Sequence, residues 1–413
     1  MDISFNLLAL IPFFFFLLLY KKIRKKGNNH GSILIGLYLV GSIFAVFLDL
    51  EVGLPLHNKF NEAYYNFIFY TILLVVFLIP AFWIRRIESI SELHFFKQKS
   101  IFLIILSLFA WFSFLYLMPF AFASMAMDSV NVRTGLGTGD ISVLPKNIFT
   151  TLATGVASFY PIFVFLFYMS YAQKRHLFIT ISMFVGGLSY VISTLAFAGR
   201  DGIIFFTIIL IIFYKFFEKV LEKKHILKYK KIFYVLSILS FILLIRISSE
   251  RFERSEGVYS TIQLGIIGYG GMQPFIFNDI LNDFNNYNYG NSSFSVIKEI
   301  FNMEVSESPE AEEAMEWQFG TFLTSFYKAS GLTSMLLISL VYLIVFYGLI
   351  PKVNNAKLPF RMIVVGFYYQ FMVTGFFYFR LGNNAGNIYT VILVLLFIFL
   401  LFRYRGITKI KER

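Results

Sequence analysis

Long apolar runs, separated by short polar clusters, make up most of this chain. They cover roughly 3–20, 31–48, 64–84, 101–122, 147–172, 177–198, 202–217, 232–245, 331–350, 362–379 and 387–402. A helix rises about 1.5 Å per residue, so about 20 apolar residues cross the hydrocarbon layer of a bilayer. With no water to bond the backbone in lipid, such runs must fold as helices. The pattern predicts an all-α, polytopic integral membrane protein with eleven transmembrane helices, a single membrane domain over residues 1–413. Pro161 falls inside the fifth run and predicts a kink there. The first run opens with "MDIS", an acid where a cleaved leader carries basic residues, so it reads as a span.

One connection stands out. Arg246 to Ser330 is a segment of 85 residues between the eighth and ninth runs, far longer than an ordinary link. Within it "GVYSTIQLGIIGYGGMQPFIFNDILNDF" alternates apolar and polar residues, and "SFSVIKEIFN" has helical spacing. This predicts short helices lying on the membrane face, with glycine turns at "GYGG". A shorter loop, "ASMAMDSVNVRTGLGTGDISVLP", has the Gly and Asp content of an ordered, turn-rich segment.

Composition agrees with the pattern: 58% of residues are hydrophobic, 20% aromatic and only 15% charged. The net charge of +12 changes the picture only through its distribution. The clusters "KKIRKKGNNH", "RRIESISELHFFKQK", "KRH", "KFFEKVLEKKHILKYKK", "PKVNNAKLPFR" and "RYRGITKIKER" hold 26 of the 36 Lys and Arg, and eleven crossings put all six on one side. By the positive-inside rule that side is cytoplasmic, with the N-terminus outside and the C-terminus inside. The basic excess is therefore a topology and lipid-headgroup signal, and no nucleic-acid partner is expected. Cysteine is absent, which excludes disulfides and a thiol nucleophile. The spans hold almost no ionisable residues, which argues against an ion-coupled transporter.

The outer side carries six arginines: Arg133, Arg200, Arg246, Arg251, Arg254 and Arg380. Guanidinium groups suit bidentate contact with phosphate. In "AFAGRDGIIFF" the adjacent Arg200 and Asp201 sit between Gly199 and Gly202 at a span boundary. The pair is either a polar turn with a snorkelling arginine, or a place where small neighbours let phosphate approach. The cluster "RISSERFERSEG" is the densest, and its Glu250 and Arg254 stand four apart, as in a self-satisfied helical ion pair. Asp201, Glu250, Glu253 and Glu256 are the carboxylates nearest to these arginines. Tyr269 and Trp317 are candidates for stacking on sugar rings or for interfacial packing.

Three stretches, "AGRDGIIFF", "IGYGGMQPFIFNDIL" and "EWQFGTFLTSFYKASGLTSMLLISLVYLIVFYGL", resemble the bacterial oligosaccharide repeat unit polymerases, the Wzy-type enzymes of O-antigen and capsule synthesis. The resemblance implies a glycosyltransferase of the bacterial inner membrane. Such an enzyme joins polyprenyl-pyrophosphate-linked glycan donors and acceptors at the outer leaflet, without a metal or other cofactor, and a chain-length regulator is an implied partner. It makes Arg200, Asp201, Glu250 and Glu253 the catalytic candidates, and Arg133, Arg246, Arg251, Arg254, Tyr269 and Arg380 the substrate-binding ones. Arg246 with Gly257 and Arg254 with Gly265 also fit an arginine, ten residues and a glycine, a spacing found in some polymerases of this kind.

Three alternatives remain open on sequence. A related O-antigen ligase commonly places a histidine in the large outer loop, and residues 246–330 contain none. A metal-dependent transferase using polyprenyl-phosphate sugars would use an acidic pair such as Asp49 and Glu51 of "LDLEVG". A flippase for lipid-linked oligosaccharides would need a polar passage through the spans.

Overall fold

The computed structural model describes residues 7–48, 63–93, 101–127, 144–145, 147–197, 199, 201–221, 267–283, 320–379, 381 and 384–411. Among these residues there is no strand. The helices are α1 (Leu10–Lys25), α2 (Asn29–Val46), α3 (Ala63–Leu78), α4 (Ile101–Ala126), α5 (Ile148–Ser158), α6 (Tyr160–Ala172), α7 (Leu177–Ala196), α8 (Asp201–Phe217), α9 (Gln273–Asp283), α10 (Phe322–Val353), α11 (Leu358–Thr374) and α12 (Asn384–Lys411). Polar side chains begin several of them by accepting otherwise unpaired amide protons. Asn28 accepts from Gly31 N, Asn147 from Thr150 N and Thr321 from Leu323 N.

Among the described residues, six helical stretches are long and apolar enough to cross a membrane: Asn29–Val46, Ala63–Phe82, Ile101–Ala126, Leu177–Ala196, Gly331–Val353 and Ala385–Phe402. They become seven if α5 and α6, bent by 56° at their junction, form one broken span. Leu108 and Leu115 on α4, Leu337 and Ile344 on α10, and Phe399 and Phe402 on α12 are exposed. So much outward-facing hydrocarbon is stable only against lipid, and the protein is membrane-embedded. The predicted runs 3–20, 202–217 and 362–379 fall on α1, α8 and α11, which have 16, 17 and 17 residues and are shorter than these six stretches. Run 232–245 lies outside the described residues.

Helix α11 is the centre of the bundle. Every residue from Leu358 to Thr374 except Phe367 is buried. Three of its polar side chains each reach a different element. Tyr368 OH donates to Phe77 O of α3 at 3.0 Å, Tyr369 OH and His30 Nδ1 of α2 share a hydrogen bond at 2.6 Å, and Gln370 Nε2 donates to Ser158 O of α5 at 3.0 Å. In return Tyr38 OH of α2 donates to Met372 O at 2.8 Å.

The bond from Gln370 explains the predicted kink. Pro161 has no amide proton, and Ile162 N turns to Phe159 O at 2.9 Å, which leaves Ser158 O without its usual partner in the helix. Gln370 supplies one from α11. Tyr160 at the bend stacks on Tyr190 of α7 with ring centres 4.0 Å apart.

Further links between parts of the chain lie at the two ends of the bundle. Asn28 Nδ2 donates to Ala81 O at 2.8 Å and Asn354 Nδ2 to Trp83 O at 2.6 Å, Gln173 Nε2 donates to Leu93 O, and Lys219 pairs with Glu88. Lys26, Arg85, Arg86, Arg175, Lys219, Lys357 and Arg361 thus share one end, as the one-sided charge pattern predicts. The opposite end holds the start of α8, helix α9, the start of α10 and the turn after α11.

Residues 267–283 depart from the sequence expectation in two ways. The "GYGG" glycines form no turn; Gly268 to Gly271 are helical, continuing into α9. Nor do these residues lie on the membrane face, since Gly270 through Ile280 are buried. The glycines permit close helix contact: a methyl group at Gly271 would stand 2.5 Å from Ala45 N, and one at Gly270 would stand 2.4 Å from the Phe44 ring of α2. Gly331 is a different case, with φ of 77° inside α10. That left-handed conformation favours glycine, and it separates the buried start of α10 from its lipid-facing remainder.

Gly271→Ala is expected to lower stability by about 1–3 kcal/mol through overpacking. Gly348→Ala, where the added methyl meets nothing within 4 Å, is expected to leave it unchanged or higher. Thermal melting of the two purified variants checks this, and equal melting temperatures would contradict the close contact.

Candidate functional site

The end opposite the basic loops is organised around the turn that follows α11, residues 375–379. Phe322 N, at the start of α10, donates to Gly375 O at 2.9 Å, and Phe379 N donates to Ser325 Oγ at 3.4 Å. Tyr378 OH donates to Oδ2 of Asp201 in the first turn of α8. The Phe376 ring packs edge-on to Tyr38 at 5.2 Å and fills the space beside Gly41, where an added methyl would also stand 3.0 Å from Gly270 O. Three segments distant in sequence, around Asp201, Gly270 and Phe322, therefore meet one turn. They are the segments that carry the polymerase resemblance.

Helix α9 brings buried polar groups to the same end. Gln273, Asn278 and Asp279 are all buried. Asn66 Nδ2 of α3 donates to Asn278 Oδ1 at 2.9 Å and to Asn282 Oδ1 at 3.1 Å, and Gln273 Nε2 donates to Tyr269 O at 2.7 Å. Such a network in an apolar protein positions the helix by direction as well as by area. Tyr269 itself is half-buried and packs against the core.

Two sequence candidates are thus placed, Asp201 in the turn network and Tyr269 beside it. Arg200, Glu250, Glu253, Arg133, Arg246, Arg251, Arg254 and Arg380, with Trp317, Asp49 and Glu51, lie outside the described residues. The glycines around Arg200 have a structural use. A methyl at Gly202 would stand 1.9 Å from Thr194 Oγ1, and one at Gly199 would stand 2.9 Å from Asp201 Oδ1 and 3.0 Å from Thr194 O. The space expected for an approaching phosphate beside Gly202 is filled by the α7–α8 contact. Sequence reasoning did not find Tyr378, Ser325 or the polar side chains of α9. The available signal was their presence within otherwise apolar stretches, "GFFYF" and "PFIFNDIL".

A cavity of about 1030 Å³ lies at the other, basic end, against segment 83–93, which ends in a short 3-10 helix, Ile90–Leu93. Arg361 holds that segment in place: Nη1 pairs with Glu92 Oε2 at 3.0 Å, and Nη2 donates to Arg86 O at 3.0 Å and to Arg85 O. Glu88 pairs with Lys219 and with Arg86, whose Nε is 3.0 Å away. The hydrogen bond from Lys219, then that from Arg86, holds its carboxyl below the usual glutamate range.

No family model matches the chain, nor does any curated protein or solved structure.

A charged acceptor makes the Tyr378–Asp201 bond worth about 1.5–3 kcal/mol. Tyr378→Phe and Asp201→Asn, alone and together in a double-mutant cycle read by thermal melting, are expected to show coupling of that order. Additive losses would contradict the contact.

Proposed function

We propose that this protein is an oligosaccharide repeat unit polymerase, a membrane glycosyltransferase that extends a surface polysaccharide such as O-antigen or capsule. The observation that carries the reading is the convergence of the three resembling segments on the turn at 375–379. Residues far apart in sequence are brought to one end of the bundle, away from the basic loops. In this reading the chain has eleven spans and lies in a bacterial inner membrane, with its N-terminus outside and its basic loops in the cytoplasm. The turn then faces the outer leaflet, where lipid-linked glycans are presented.

The reaction breaks the bond between the donor's anomeric carbon and a pyrophosphate oxygen, and joins that carbon to a hydroxyl oxygen of the acceptor glycan. Polyprenyl pyrophosphate leaves with the bonding electrons, and the hydroxyl proton passes to a base. Arg200, with Arg251 or Arg254, takes the role of holding the pyrophosphate as its charge develops. Arg133, Arg246, Arg380 and Tyr269 contribute to substrate binding. Asp201 or a glutamate near position 250, Glu250 or Glu253, takes the role of orienting or deprotonating the hydroxyl. Tyr378, by donating to Asp201, fixes the orientation of that carboxylate. A polysaccharide chain-length regulator is the proposed protein partner.

The test is incubation of the purified protein with lipid-pyrophosphate-linked repeat units and analysis of the products by gel. The expected result is a ladder that persists in the presence of a chelator. Arg200→Ala is expected to shorten it to single units, with a rate loss of about 10²–10³-fold, while the variant still melts at the temperature of the parent chain. Movement of lipid-linked glycan without chain growth, transfer of single sugars dependent on a metal, or an unchanged ladder from Arg200→Ala would contradict the proposal.

A further inference from the structure

The cavity at the basic end has no part in the chemistry proposed for the opposite end. It lies where α1, α2, α10 and α11 end or begin. Five cationic side chains, Lys26, Arg85, Arg86, Lys357 and Arg361, line it with two carboxylates, Glu88 and Glu92. Both carboxylates are already engaged. Glu88 is shared by Arg86 and Lys219, the latter outside the cavity lining. Glu92 accepts from Arg361 and from the backbone amides of Glu88 and Ser89. Arg361 is nearly fully buried, and its Nε finds no hydrogen-bond partner among the described residues.

The walls are built independently of any ligand. The carbonyls of Ala81, Trp83 and Arg86 receive hydrogen bonds from Asn28, Asn354 and Arg361, which belong to three other parts of the chain. Residues 83–89 are therefore fixed without regular secondary structure, and Arg85 and Arg86 on them line the cavity together with Lys26 and Lys357. Like charges gathered around one cavity repel, and a frame that holds them there favours binding of an anion. Guanidinium and ammonium groups together suit the oxygens of a phosphate.

We infer that this cavity binds a phosphate group, carried either by an anionic lipid headgroup or by a soluble phosphate compound. The inference does not rest on the polymerase reading, and either one can fail alone.

The test uses the full chain in nanodiscs. In one arm, inorganic phosphate and pyrophosphate are titrated by calorimetry into protein held in phosphatidylcholine. In the other, native mass spectrometry counts phosphatidylglycerol retained from a mixed membrane, with phosphatidylcholine as reference. Lys26 and Lys357 are both exposed, so Lys26→Gln with Lys357→Gln removes cavity charge while leaving the Arg361 strut intact. Lys21→Gln with Lys22→Gln removes equal charge outside the cavity lining. Saturable binding in either arm is expected, weakened about tenfold by the cavity pair and less than about twofold by the outer pair. The arm that binds identifies the source of the phosphate. Absence of binding in both arms, or equal weakening by the two pairs, would overturn the inference.

Discussion

The bundle depends on the requirement that polar groups buried in an apolar protein be hydrogen-bonded. α11 is buried along nearly its whole length yet carries Arg361, Tyr368, Tyr369 and Gln370. An unmet polar group there costs about 1–3 kcal/mol, more for a charge. Each of these residues bonds to a different part of the chain, and only Arg361 Nε and Gln370 Oε1 of their polar atoms lack a partner among the described residues. Apolar contact alone would let neighbouring helices slide against one another, whereas these directional bonds fix their register. The bend at Pro161 is accommodated in the same way, because the carbonyl it frees is met by Gln370.

A fixed central helix also fixes what stands at its two ends. At its N-terminal end Arg361 ties down segment 83–93 and gathers cations around a cavity. Beyond its C-terminal end Gly375, Phe376, Tyr378 and Phe379 receive α10, the α2–α9 contact and the start of α8. The chemistry of the two ends differs accordingly. One is strongly cationic; the other, in its described part, pairs a carboxylate with a phenol and is lined with amides. The proposed polymerase function uses the second end and leaves the first for a separate role.

The helical, membrane-embedded class was legible in the sequence because hydrocarbon length alone determines it, and the kink at Pro161 because a missing amide proton is a local fact. The one-sided gathering of lysine and arginine was legible for a similar reason. The centrality of α11 was not. Its sequence "LPFRMIVVGFYYQFMVT" is as apolar as that of a lipid-facing helix, and only its hydrogen-bond partners, up to 339 residues away, distinguish it. The "GYGG" stretch was misjudged because glycine serves both sharp turns and close helix contacts, and only the proximity of Phe44 and Ala45 decides between them. Of the candidate site, Asp201 was found through its place at a span boundary. Its partner Tyr378 carried only a weak mark, a hydroxyl within the apolar stretch "GFFYF", in a chain with 24 other tyrosines.

The most direct test of this account is the melting temperature of the purified chain carrying Tyr368→Phe, Tyr369→Phe and Gln370→Leu together, compared with Tyr64→Phe and Tyr65→Phe, which alter exposed tyrosines. The triple variant keeps nearly all of the apolar volume of α11 and strips the hydrogen bonds that its side chains make to α2, α3 and α5. The account predicts a large fall for the triple variant, with about 1–3 kcal/mol lost at each site, and no change for the exposed pair. A triple variant that melts with the parent chain would contradict it.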